Sequence, residues 1–171
     1  MSRFVPVVVA LLLIGPLARA AGPFDNLLTA VPPQTNTLVL VNVKAAYASP
    51  LAKTEKWADN YYLKYKSGTG FVPPDAEAMV IASTVNLSAM TRDHQIGLIK
   101  VTGLPTIKGL AARESGTVSV MGDQSFVLSP RDVYFTTLTG QAAIAAVYPA
   151  DRQATARWSR YAPDRYLYWL K

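Results

Sequence analysis

The sequence contains a short apolar run followed by a helix-starting pair, and this combination restricts the fold more than any other stretch. Residues 37–43 are nearly all β-formers without Gly or Pro, and they are too few to cross a membrane. The run therefore predicts a strand that is covered on both faces. Ser49 offers an N-cap side chain and Pro50 suits the first helical position, so we expect a helix to begin at Pro50.

This helix is predicted to continue towards Lys66 and to be amphipathic. The residues that share one side are apolar and mainly aromatic, whereas most of the charged residues lie elsewhere. Gly68 and Gly70 favour its end. The apolar side consists of Leu51, Ala58, Tyr61, Tyr62 and Tyr65.

Residues 1–20 have the pattern of a secretory signal peptide. Arg3 supplies the positive charge, residues 4–14 are apolar, and Ala18-Arg19-Ala20 provides small residues for a signal peptidase. We expect cleavage after Ala20 and export to the periplasm or the extracellular space. An uncleaved anchor is the alternative, but the apolar segment is shorter than the ~20 residues that a spanning helix needs.

The composition of the remaining chain favours one domain that is stabilised by packing. Removal of Arg3 and Arg19 with the leader lowers the count of Lys and Arg from 17 to 15 against 11 acidic residues, so the net charge falls from +6 to +4. The absence of cysteine excludes disulfides, thiolate metal sites and cysteine nucleophiles. We expect a short helix and an extended lead-in over 21–36, followed by a single α+β domain over 37–171.

Strand and helix signals alternate along this domain. Segments 78–82 and 96–101 predict antiparallel neighbouring strands, and Pro105 predicts a helix that ends at Gly116. Four strand segments follow, of which the last is ambiguous because its alanines also favour a helix. These segments are Thr117–Met121, Gln124–Leu128, Val133–Leu138 and Gln141–Tyr148.

Up to Met121 this order is the βαββαβ order of ferredoxin-like domains. We therefore predict an α+β fold with a mostly antiparallel sheet and helices on one face. The ferredoxin-like start is expected to be extended by a C-terminal β-meander and by a last helix that Pro149 and Asp151 open.

No catalytic or metal-binding pattern occurs in the sequence. His94 is the only histidine, so a Ser-His-Asp triad would depend on it, yet no G-x-S-x-G elbow surrounds a serine. Asp93 and His94 together offer at most two ligands, whereas zinc usually has three or four. Glu55 and Asp59 have helical i, i+4 spacing, but the neighbouring lysines indicate a solvated face. We predict no catalytic residue, no metal and no cofactor.

A basic and aromatic cluster near the C-terminus is the candidate binding site. Gln153, Arg157 and Arg160 fall on one helical stripe, and Arg152 and Trp158 lie beside it in the sequence. Two guanidinium groups with aromatic neighbours can bind phosphate, carboxylate or sugar. The alternative is that Trp158 anchors the core while the arginines extend over it at the surface.

Three stretches occur together in this chain: 36–43 running to 49–53, then 74–76, and 149–153 with Arg157 and Trp158. Together they resemble uncharacterised exported bacterial proteins of α+β type. The resemblance implies export and the fold class, and it carries over no catalytic residue.

These observations favour a non-catalytic secreted or periplasmic domain that binds a cell-envelope partner or an anionic ligand. One alternative is a secreted hydrolase whose site joins dispersed Ser, Asp or Glu residues with His94. Another is a structural subunit of a homo-oligomer. The expected partner is a protein or an anionic envelope component, with no nucleic acid and no stable membrane span after cleavage.

Overall fold

The computed structural model describes residues 22–89, 91–151 and Thr155. These residues form short helices and one antiparallel sheet, which confirms the expected α+β class. The helices are α1 (Asp25–Leu28), α2 (Val43–Ala48), α3 (Pro50–Thr54), α4 (Trp57–Lys66) and α5 (Ile107–Glu114). The strands are β1 (Thr37–Val41), β2 (Ala76–Asn86), β3 (Thr91–Val101), β4 (Thr117–Met121), β5 (Gln124–Ser129), β6 (Val133–Leu138) and β7 (Ala143–Tyr148).

Two predicted segments fall on residues that the structure does not describe. The predicted signal peptide and nearly all of the predicted last helix lie outside the described residues. Among the residues that the structure describes, none of the helices has the length and apolar character needed to cross a membrane.

The strand order is β1-β2-β3-β7-β6-β5-β4, and every neighbouring pair is antiparallel. The predicted antiparallel pair is confirmed as β2 with β3, and Val80 lies opposite Leu98. The segment before Pro149, which was predicted as a strand although its alanines also favour a helix, is strand β7.

The first part of the chain does not follow the expected ferredoxin-like arrangement. In a split βαβ unit, another strand lies between the two strands that flank a helix. Here β1 and β2 flank helices α2 to α4, yet they pair directly and antiparallel, with Leu40 opposite Val80. Strand β4 lies at the far edge of the sheet from β1.

Helices pack on both faces of the sheet, which corrects the prediction that they lie on one face. On one face, which we call the α1 face, Leu27 of α1 belongs to the apolar cluster of Val80 and Leu98. On the opposite face, the α5 face, Leu110 of α5 joins a second cluster with Ile99. Leu98 and Ile99 are adjacent on β3, point to opposite faces and are both fully buried. The apolar side chains on each face of the sheet are therefore covered by a different helix.

Strand β1 forms an edge of the sheet and is not covered on both faces, contrary to the prediction. Leu38, Val39 and Leu40 are 49%, 47% and 47% exposed. The same apolar pattern suits a central strand and an edge strand, and only pairing with distant strands distinguishes them. Strand β1 also lacks the charged residues and prolines that commonly protect an edge.

The helix expected from Pro50 onwards forms as two helices, α3 and α4. Ser49 caps α3 as predicted, because its Oγ accepts a hydrogen bond from the backbone N–H of Ala52 at 3.2 Å. The break lies at Lys56, whose φ of 51° is left-handed. Helix α4 contains no buried residue. The predicted aromatic side is therefore largely exposed instead of packing as an amphipathic helix does.

Candidate functional site

A cavity of about 190 Å³ opens on the α5 face of the sheet. Four neighbouring strands, β2, β3, β7 and β6, form most of its wall. Phe71 from the loop after α4 and Arg131 from the turn between β5 and β6 complete it. Most of the lining is apolar with few polar groups, as in typical small-molecule sites. The strand residues are Ile81, Gln95, Gly97, Val133, Phe135, Ala146 and Tyr148.

Two small residues, Gly97 and Ala146, make room for this cavity. They lie opposite each other on β3 and β7. A Cβ atom on Gly97 would lie 3.9 Å from the Ala146 Cβ, which is an ordinary contact, and the φ of Gly97 is not left-handed. Neither the backbone nor the packing requires glycine here, although glycine weakens a strand interior. The small side chains therefore leave space that a ligand can occupy.

A buried carboxylate organises the charged side of the cavity. The Glu114 side chain is 1% exposed at the end of α5. Arg131 donates from Nε to Oε2 at 3.1 Å and from Nη2 to Oε1 at 2.6 Å, which makes a bidentate pair. Ser129 also donates from Oγ to Oε2, at 2.9 Å. Glu114 thus fixes the guanidinium of Arg131 beside the cavity.

Arg113 is the second cation bound to this carboxylate. It forms an ion pair with Glu114 and donates from Nη1 to the carbonyl oxygen of Gly70 at 3.0 Å. Its Cζ lies 4.3 Å from the ring centroid of Tyr65 and 5.8 Å from that of Phe135, within the range of cation–π attraction. Arg113 therefore ties the loop after α4 to the sheet and to α5.

We call Arg113, Glu114 and Arg131 the charge cluster. It has one surplus positive charge, because two guanidinium groups face one carboxylate. The Arg113 side chain is 12% exposed, whereas that of Arg131 is 37% exposed. Within the described residues, Arg131 uses Nε and Nη2 for its side-chain hydrogen bonds and leaves Nη1 available. An anion in the cavity would therefore meet Arg131 rather than Arg113.

Two tyrosines near this face, Tyr65 and Tyr47, stay neutral at physiological pH. Burial raises the pKa of Tyr65 above its ordinary value of 10.0, and the positive charge of Arg113 opposes part of that shift. Burial also raises the pKa of Tyr47, and Tyr61 adds to the effect. These phenols therefore add no negative charge that would repel an anion.

The binding residues predicted from the sequence fall on a part of the chain that the structure does not describe. Arg152, Gln153, Arg157, Trp158 and Arg160 lie outside the described residues. The C-terminal cluster therefore stays a prediction.

His94 lies on the other face of the sheet. It pairs with Thr84 on β2, directly before Gln95. Because side chains alternate along a strand, His94 is on the α1 face while Gln95 and Gly97 face the cavity. In the described part of the chain, no group of three or more His, Cys, Asp or Glu side chains is placed to hold a metal ion.

Sequence reasoning missed the cavity and the charge cluster. One signal was present: Gly97 interrupts an apolar strand segment, and an interior glycine often marks close approach of a ligand or backbone. Glu114 and Arg131 gave no signal, because residues so far apart in sequence meet only through the fold.

Comparison with protein-family models, with curated proteins and with solved structures found no match to this chain.

Proposed function

We propose that the protein is a non-catalytic exported domain whose role is to bind, and that the cavity on the α5 face is its ligand site. The observation that carries the proposal is an apolar space of about 190 Å³ beside an oriented guanidinium group. Apolar walls supply affinity and a few fixed polar groups supply orientation in such sites.

The rigidity of the surroundings supports a binding role. The cavity wall is formed by adjacent strands of one sheet, and Arg131 is held by two hydrogen bonds to Glu114. A site that is already formed loses little conformational entropy when the ligand arrives.

The test is a set of ¹H–¹⁵N correlation spectra of the purified protein with a panel of small apolar compounds, both neutral and charged. We expect some compounds to shift the amide signals of Gly97 and Ala146. Gly97→Leu should abolish these shifts by filling the cavity, whereas Gly140→Leu should retain them, because an added Cβ at Gly140 meets no atom within 4 Å. The proposal fails if no compound shifts these signals, or if Gly97→Leu leaves the shifts intact.

Export to the periplasm or the extracellular space belongs to the same proposal. The charged start, the apolar segment and the small residues Ala18 and Ala20 support it. Mass spectrometry of protein recovered from an exporting bacterium should show a chain that begins at Ala21. Ala20→Arg should block that processing, whereas full-length wild-type protein in the cytoplasm would contradict the proposal.

A cell-envelope partner could be bound through the C-terminal cluster, and the spacing of Gln153, Arg157 and Arg160 supports this part of the proposal. Binding to vesicles that contain anionic lipid would test it. Arg157→Ala with Arg160→Ala should weaken binding more than Lys53→Ala with Lys56→Ala does. Equal losses of vesicle binding in the two double variants would show that the lipid responds to positive charge in general and not to the C-terminal cluster.

A structural subunit of a homo-oligomer is the second candidate function, because β1 exposes three apolar residues at an edge without a charge. Two copies of β1 can pair antiparallel about a two-fold axis, which is the commonest symmetry of oligomers. Light scattering across a concentration series tests this candidate, and a monomer at every concentration would eliminate it.

A further inference from the structure

The size of the cavity limits the ligand to a small body. A dry apolar cavity of about 150 Å³ holds benzene. The cavity of about 190 Å³ therefore accommodates one ring, or an aliphatic group of similar volume, together with a small polar substituent. Gly97 and Ala146 have the smallest side chains in the lining, so the wall leaves the most room over them.

The charge cluster limits the charge that the polar substituent of the ligand can carry. Its surplus is one positive charge, and Arg131 is the member that lines the cavity. Arg113 already binds the Gly70 carbonyl and lies over the Tyr65 ring. A doubly charged group such as a phosphate monoester would have its second charge repelled by Glu114 without a second cation to balance it.

We infer that the ligand is a small monocarboxylic acid, with its ring or aliphatic body over Gly97 and Ala146 and its carboxylate on Arg131. This inference rests on the proposed function, since it names the ligand class of the same cavity. Guanidinium and carboxylate form strong charge-assisted hydrogen bonds, and Nη1 of Arg131 can donate to the ligand while Nε and Nη2 continue to hold Glu114.

The experiment measures the affinity of the purified protein for phenylacetate and for phenylacetamide by titration calorimetry. These probes have nearly the same shape and differ in charge. We expect phenylacetate to bind at least about tenfold more tightly, because its charged carboxylate accepts a stronger hydrogen bond from the guanidinium group than the neutral amide does. Acetate, which has the charge without the ring, should bind much more weakly than phenylacetate.

Variants locate the binding site, and they separate the proposed binding function from the inferred preference for a carboxylate. Gly97→Leu should abolish binding of both ring compounds, and Gly140→Leu should leave both affinities unchanged. Arg131→Met should remove the preference for the acid while the amide still binds. If this variant does not fold, the comparison of acid and amide on the wild-type protein decides the charge requirement alone.

Each outcome has a defined meaning. Equal affinities for acid and amide, both lost in Gly97→Leu, would overturn the inference and leave the proposed binding function intact. Tight binding of inorganic phosphate in preference to phenylacetate would also overturn it. If neither ring compound binds, the inference is wrong, and the neutral and charged panel described above then decides the proposed function.

Discussion

Arg131 donates two hydrogen bonds to the buried carboxylate of Glu114, from Nε to Oε2 at 3.1 Å and from Nη2 to Oε1 at 2.6 Å. This pair joins the end of α5 to the turn between β5 and β6. The same carboxylate accepts a hydrogen bond from Ser129 and pairs with Arg113. The carboxylate of Glu114 therefore binds three side chains, those of Arg113, Ser129 and Arg131.

Glu114→Gln should destabilise the protein by about 3–5 kcal/mol, because removing one partner of a buried ion pair leaves uncompensated charge behind. Urea unfolding followed by circular dichroism measures the loss. Glu77→Gln is the matched control, because Glu77 pairs with Lys100 at 3.2 Å in a partly exposed position, where the change should stay within about 1 kcal/mol. Similar losses for the two variants would mean that the charge cluster has no special role in stability.

Gly116→Ala should destabilise the protein by about 1–3 kcal/mol, because overpacking forces the backbone to move. A Cβ at Gly116 would lie 2.6 Å from the carbonyl oxygen of Leu128 and 2.7 Å from Cγ1 of Val127. Gly140→Ala is the control, since its Cβ would meet no atom within 4 Å. Thermal unfolding of both variants gives the comparison, and an unchanged midpoint for Gly116→Ala would contradict the close approach of Gly116 to β5.

Ser49→Ala should destabilise the protein by about 1 kcal/mol, because the N–H of Ala52 loses its cap. Chemical unfolding measures this loss. Ser88→Ala, at an exposed position outside the helices, should have almost no effect. Ser49→Asp should retain most of the stability, since aspartate also caps a helix, and a loss as large as that of the alanine variant would exclude capping as the cause.

Stability should decline in alkaline solution partly through Tyr65. Burial raises its pKa above 10.0 in the folded protein, so on unfolding the phenol becomes more acidic. The stabilising contribution is complete below pH 10.0, the ordinary value for the unfolded chain, and is lost as the pH rises through the folded pKa. Urea unfolding at a series of alkaline pH values should show a shallower decline for Tyr65→Phe than for the wild type. Identical declines would show that Tyr65 does not contribute.

Val39→Lys should lower any concentration-dependent self-association, because a charge at an edge strand opposes pairing with another strand. Val39 is 47% exposed, so the lysine should fit without disturbing the core. Leu87→Lys is the control, as Leu87 is exposed in the turn after β2 rather than on an edge strand. Sedimentation velocity of the three proteins is the measurement, and equal association for all of them would eliminate β1 as the interface.

Local features were predictable where neighbouring residues determine them. Ser49 and Pro50 set the start of α3, and Gly122, with a φ of 63°, lies in the two-residue connection between the segments predicted as β4 and β5. The bounds predicted for β4 and β6 agree with the structure, and β5 is one residue longer than predicted. Such signals work because caps and turns depend on a few consecutive residues.

The remaining features depend on contacts between distant residues. No local pattern indicates that Leu38 to Leu40 lie on an edge strand. None indicates that Lys56 adopts a left-handed conformation either, since the glycine that usually marks one is absent there. The cavity exists because Gly97 and Ala146 lie opposite each other, and this position follows from the pairing of β3 with β7. A hydrophobic pattern specifies which residues avoid water and leaves the order of the strands open.

The pairing of β3 with β7 has a further consequence for how the protein assembles. The sheet consists of two sequence-local halves, β1 to β3 and β4 to β7, and this pairing is the seam between them. Gly97 and Ala146 lie on either side of that seam. Long-range pairing of this kind is slow because loop closure must come first. A molecule held across the seam stabilises only the joined halves, so ligand occupancy and completion of folding become thermodynamically linked.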